Sequence, residues 1–205
     1  MEAKALYRIS CGLYLVATKA GGRDNACITN TAMQVTAGES PELVISVAKA
    51  NLTHDMLLES KVLQLSAISE SAPFALFERF GFHSGRDTDK FNGFDGAYRD
   101  PTSGCMALNA DLASATLSCR VTDTMDFPTH TLFRVTVTEA YVLSDVPPCT
   151  YAYYQASIKP RPAEKKSEKP IWRCTVCGYE YEGEELPPDY ICPLCKHPAS
   201  DFERV

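Results

Sequence analysis

The apolar positions of this chain fall in short runs with a period near two or none, and few stretches carry a helical spacing. Leu13 to Thr18 reads Leu-Tyr-Leu-Val-Ala-Thr and predicts a strand. Gly21-Gly22 supplies a turn, and Asn25 to Val35 predicts a second strand running back. Leu43 to Ala48 is almost wholly apolar and rich in β-branched residues, which predicts a third, buried strand. Thr53 is placed to cap a helix over 54–60, because its hydroxyl can accept from an amide of the first turn. Val62 to Ile68 predicts a fourth strand and Phe74 to Phe80 a short helix; Leu6 and Ile9, three apart, suggest one or two helical turns over 3–10. Residues 83–96 are polar and hold three glycines, so a long surface loop is expected. Two long strands follow, about 113–124 and 130–142, joined at Asp126-Phe127-Pro128. Six or seven strands with only short helices predict a mainly β molecule built on an antiparallel barrel.

The pattern then breaks. Residues 156–170 hold five basic and two acidic side chains, several prolines and little that could be buried, which predicts a solvated basic linker. Residues 171–205 follow as a separate acidic module with three basic and seven acidic residues. The whole chain of 205 residues carries a net charge of −6, which argues against nucleic acid as the main partner. No apolar run approaches the ~20 residues that span a bilayer, and the N-terminus lacks a signal-peptide pattern. A cytoplasmic setting, where thiols stay reduced, is the expectation.

The module contains two Cys-x-x-Cys pairs, Cys174/Cys177 and Cys192/Cys195, fourteen residues apart. Each pair can form a tight knuckle whose backbone amides point at the sulfurs. Two facing knuckles make a tetrahedral sulfur cage that suits Zn²⁺ or a single iron. Two disulfides would be an unusual use of this spacing. The other five cysteines (Cys11, Cys27, Cys105, Cys119, Cys149) are scattered and read as small core side chains. Around the cage, Cys174-Thr-Val-Cys177-Gly-Tyr, Leu-Pro-Pro-Asp-Tyr-Ile-Cys192-Pro-Leu-Cys195 and Asp201-Phe202 resemble rubredoxin. The short gap between knuckles is similar to the compact rubredoxin-like tail of rubrerythrins. That resemblance implies iron; four thiolates alone suit either metal.

The first 155 residues carry no G-x-G-x-x-G fingerprint, so a Rossmann domain is not expected. Thr29-Asn30-Thr31 groups three hydrogen-bonding side chains. Ser46-Val47-Ala48-Lys49-Ala50-Asn51-Leu52-Thr53 runs from a strand into a helix start, offering amides, a Lys and a Thr to a phosphate, or simply turning a corner. Ser84, Arg86 and Lys90 could reach the same anion, or belong to a solvated charged loop. In order and spacing these stretches, with His130-Thr-Leu-Phe133, resemble the flavin reductase-like family with its FMN-binding split barrel. The resemblance implies a homodimer with FMN near the subunit interface. It places Thr29, Asn30 and Thr31 beside the flavin. It places Ser46, Val47, Ala48, Lys49, Asn51 and Thr53 at its phosphate, with Ser84, Arg86 and Lys90 as further contacts. Related reductases carry Gly-Asp-His where this chain has Pro128-Thr129-His130, so His130 is a candidate for positioning NAD(P)H or flavin. A His satisfied at the barrel rim is the plainer alternative.

Barrel, linker and tail together resemble the high-molecular-weight rubredoxins, fusions of a flavin reductase-like barrel to a rubredoxin-like domain. That implies electrons passing from NAD(P)H through FMN to a four-cysteine iron and on to a redox partner, a flavodiiron protein. Two other readings fit the residues: a flavin-binding barrel with a zinc ribbon for protein interaction, and a flavin or ferric reductase with a regulatory tail.

Overall fold

Strand β1 (Tyr14–Ala20) turns at Gly21-Gly22, both at positive φ, into β2 (Arg23–Thr29). The computed structural model describes Ile9, residues 11–160 and residues 170–205. The remaining barrel strands are β3 (Ala32–Gln34), β4 (Glu42–Ala48), β5 (Val62–Ile68), β8 (Ala113–Asp126) and β9 (His130–Val142). They form one antiparallel sheet in the order β2-β1-β5-β8-β9-β4-β3. β2 and β3 are separated by only Asn30 and Thr31, yet they stand at opposite edges of that order. Two residues cannot span a flat sheet, so the sheet curls until its edges meet. The Thr29 hydroxyl donates to the Ser46 carbonyl at 2.8 Å, and the Ser46 amide donates to the Thr31 carbonyl at 3.1 Å, which draws β2 to β4 at the seam.

Two apolar clusters lie on the two faces of this sheet. Val16, Cys27, Ile45, Leu63, Leu65 and Phe133 fill the inside with the aid of Leu57 from helix α1 (Leu52–Ser60). Leu15, Ala17, Ala26 and Ile68 face outward, beneath Leu76, Phe77, Phe80 and Tyr154. β1 and β5 are therefore buried on both faces: Leu15 to Ala17 of β1 form an unbroken apolar run, whereas in β5 the buried polar Gln64 and Ser66 alternate with Leu63 and Leu65. Helix α2 (Phe74–Phe77) supplies part of that outer cover and widens into a π-helical turn over Glu78–Phe82. A short hairpin, β6 (Ala97–Arg99) and β7 (Met106–Leu108), interrupts the stretch between α2 and β8. The barrel ends in a helical turn α3 (Tyr151–Tyr153) that also widens, over Tyr154–Ile158.

Four expectations need correction in detail. The second strand breaks at the seam instead of running to Val35. Helix α1 starts earlier, capped by Asn51 and not Thr53; Thr53 is wholly buried inside the first turn, where its hydroxyl accepts from the Asn25 amide at 2.9 Å. The helix over 74–80 is a single α-turn followed by the π-turn. Lys159, expected in a solvated linker, donates from Nζ to the carbonyls of Thr175 and Val176. The helical turns expected over 3–10 and most of the linker, 161–169, lie outside the described residues.

The tail is a three-stranded sheet, β11-β10-β12, of Ile171–Cys174 (β10), Glu180–Glu182 (β11) and Phe202–Arg204 (β12). Its small core is three of the cysteines with Phe202, ringed by Trp172, Tyr179, Tyr181 and Tyr190. Among the described residues no helix is long and apolar enough to cross a membrane.

Candidate cofactor cleft and metal centre

The two knuckles of the tail have the same local build. In each, the residue after the second cysteine takes a positive φ: Gly178 at 80° and Lys196 at 63°. Its amide donates back to the carbonyl of the first cysteine, at 2.9 Å in both cases. The turns aim amides of Val176 and Cys177 at the Cys174 sulfur, of Tyr179 at Cys177, and of His197 at Cys195. Facing each other, the knuckles bring Cys174 to 3.6 Å from Cys195 and Cys177 to 3.4 Å from Cys192, sulfur to sulfur. All four sulfurs lie within 4.8 Å of one another. A disulfide needs about 2.05 Å. A tetrahedron with metal–sulfur bonds of about 2.3 Å has edges of about 3.8 Å, which these distances match.

The sulfurs also show the electrostatic signature of a cation site. Hydrogen bonds from Cys177 and Cys195 hold the Cys174 thiol far below the ordinary thiol range. The same contact with Cys174 pushes Cys177 up to about 12 and Cys195 higher still. Four thiols this close cannot all ionise by themselves; a di- or trivalent cation at their centre removes the conflict.

A cleft of about 520 Å³ opens beside the second knuckle. Its size falls within the roughly 300–1,000 Å³ usual for cofactor sites. One wall is the barrel: Thr29, Asn30, Ser46, Val47, Ala48 and Asn51, with His130 at its edge. The end of β2 and the residue after it supply the first two, the β4–α1 corner the next four, and the start of β9 the histidine. Thr129 accepts from or donates to His130 Nδ1 at 2.8 Å, which fixes the ring. Asn51 caps α1 by backbone conformation alone and makes no side-chain cap bond; its side chain is uncommitted to the helix, lies in hydrogen-bond contact with Cys27 and lines the cleft. Phe77, Gly81, Phe82, Tyr151 and Tyr154 add an apolar side. The opposite wall is the tail, with Val176, Cys195, Lys196, His197 and Pro198.

Other sequence candidates stand outside this lining. Thr31 donates to Asn30 Oδ1. Lys49 pairs with Asp126 at 2.8 Å and Arg86 with Asp55 at 2.7 Å. Those carboxylates are drawn down in pKa, Asp126 by its hydrogen bond from Lys49 and Asp55 by those from His54 and Arg86. Ser84 accepts from the Arg86 amide. Lys90 is buried, its amine on the carbonyls of Ala26 and Phe80 at 2.9 and 3.0 Å, and burial lowers its pKa. A polar chain that the sequence reading missed links these groups: His54 joins Asp55 through Nδ1 and Thr131 through Nε2, each at 2.9 Å, and Thr131 joins Asp126.

Comparisons with known proteins divide the chain in the same place. Residues 6–160 match the flavin reductase like domain, and residues 172–203 the rubredoxin-like domain of rubrerythrin. The chain is 33% identical to the high molecular weight rubredoxin of Moorella thermoacetica, over 100% of both. It is also 33% identical to the ferric-chelate reductase (NAD(P)H) of Archaeoglobus fulgidus, over 75% of this chain and 89% of that one. The fold resembles the NADH:FAD oxidoreductase of Streptomyces globisporus, solved with NAD and FAD fragments. The TM-score is 0.64 at 19% identity, covering 81% of this chain and 96% of the other.

Proposed function

The chain belongs to the flavin reductase-like family, extended by a rubredoxin-like domain, and from that premise we propose that it transfers electrons from NAD(P)H through FMN to iron held by Cys174, Cys177, Cys192 and Cys195, and on to a protein acceptor. The single observation that carries the reading is the shared cleft, where flavin-site candidates of the barrel and Cys195 of the metal centre line one space. Bound, the flavin would convert a two-electron hydride into single electrons, and the iron would relay them one at a time.

The chain's own residues do the rest. Thr29, Asn30, Ser46, Val47, Ala48 and Asn51 would bind and orient the flavin, with the start of α1 at its phosphate. Lys49 and Arg86 would reach that phosphate by exchanging their carboxylate partners, and Thr31, Thr53, Ser84 and Lys90 would support the loops around it. His130, held by Thr129, would orient the nicotinamide. The aromatic side of the cleft excludes water, and the amides aimed at the sulfurs stabilise the thiolates.

A homodimer is supported by exposed Met33 and Val35 at the β3 edge and by Met125 and Phe127 at the β8–β9 hairpin. The acidic tail suits a basic docking face on the acceptor, a flavodiiron protein in this reading, working in the cytoplasm. The match to a ferric-chelate reductase supports a second reading, in which the barrel also reduces small acceptors unaided.

Metal analysis and a visible spectrum of the purified chain test the proposal. We expect one iron and one FMN per chain, with flavin reduction by NADH or NADPH preceding iron reduction. Zinc without iron would overturn it.

A further inference from the structure

The cleft has two walls that belong to different domains, and three contacts hold those walls together. Lys159 leaves the barrel's last helical turn with its amide on the Tyr154 carbonyl at 2.8 Å. Its amine then crosses to the first knuckle and donates to the carbonyls of Thr175 and Val176, at 3.3 and 3.2 Å. Phe82, at the end of the π-turn, is partly buried against the tail's own core. Tyr154 lines the cleft on the barrel side, 5% exposed, its ring 4.6 Å from Phe77. Among the described residues its buried hydroxyl has no hydrogen-bond partner. A hydroxyl left so costs free energy unless something in the cleft accepts from it.

We propose that the metal-loaded tail is a structural wall of the flavin site of its own chain, latched by Lys159 and Phe82, with the Tyr154 hydroxyl donating to an acceptor atom of the bound flavin or to a water it holds. This rests on the flavin assignment above and deepens it. Because the tail needs metal to fold, flavin binding and metal binding become linked: whatever unfolds one wall weakens the site, and flavin in turn favours the closed, metal-loaded tail.

The test is an FMN titration, followed by flavin fluorescence, of the full chain loaded with zinc so that no redox step intervenes. Binding by the zinc form establishes the flavin site itself; if no form binds FMN, the functional reading fails. Given binding, the chelated chain should bind roughly tenfold or more weakly, within the range typical of coupled sites. Lys159→Met and Tyr154→Phe should each weaken FMN by roughly three- to tenfold, the scale of one or two lost hydrogen bonds. Tyr154→Phe should leave the melting temperature unchanged or raise it, which a residue with only a packing role would not combine with lost affinity. Equal affinity in zinc-loaded and chelated chains overturns the proposal. A photo-cross-linker at Phe82 then checks the own-chain arrangement. A product of monomer mass linked to the tail is expected, and one of dimer mass overturns it.

Discussion

Cys119 shows how a single buried group sets a pH dependence. It lies 1% exposed inside the barrel, and burial pushes its thiol from 9.0 up to about 12. The unfolded thiol ionises near 9 and the folded one near 12, so the native protein holds the proton longer. The stability this contributes is complete below pH 9 and is lost as pH rises toward 12. The stability difference between the native chain and Cys119→Ala, measured by urea unfolding, should therefore shift against the native chain by about 1.4 kcal/mol from pH 8 to pH 10. Lys90 is a second case. Its amine answers two buried carbonyls, so Lys90→Met should cost about 2 kcal/mol or more in the same assay. FMN affinity should change little, because Lys90 does not line the cleft. A large loss of affinity at unchanged stability would restore it to the phosphate site.

Elements test which residues are structural and which face the ligand. Asn51 starts α1 without a side-chain cap bond, so Asn51→Ala should cost less than the usual ~1 kcal/mol of a lost cap while weakening FMN binding severalfold, read by melting and titration together. The paired knuckles allow an opposed test. Gly178→Ala forces a side chain into positive φ, with no clash beyond ordinary contact, and should weaken metal binding about fivefold. Lys196→Gly relieves the same strain and should tighten it by a similar factor, both read by competition with a chelator. What was legible in the sequence follows from range. β5 and the long β8–β9 pair announced themselves through local pattern, and the four cysteines through spacing. The cap of α1 did not, because Asn25, 28 residues away, claims the Thr53 hydroxyl. The β6–β7 hairpin has strands of three residues, too short to carry a period. The barrel wall of the cleft sits on three local stretches, at 29–30, at 46–51 and at His130, and could be read; Phe82, Tyr154 and the tail wall depend on contacts made across the fold, and no local pattern marks them.

At the scale of the molecule, a barrel with a full hydrophobic interior is joined to a tail whose core is little more than Phe202 and the cysteines. A core that small cannot offset the chain entropy of 35 residues without metal. Chelation should abolish hydrogen-exchange protection in β10 and β12 while leaving β5 and β8 protected; protection that survived in the tail would mean that it folds by packing alone. The second knuckle adds something of another kind. Cys195 lines the cleft, while Ile191 and Leu194 beside it in the second knuckle are 52% and 41% exposed and take no part in that lining. If the tail relays electrons as proposed, an acceptor would meet the exposed side of this knuckle while Cys195 stays against the barrel. Such a relay does not have to swing. Its throughput should then be indifferent to added glycerol or sucrose beyond their effect on the acceptor's diffusion, and lengthening the tether should not speed it.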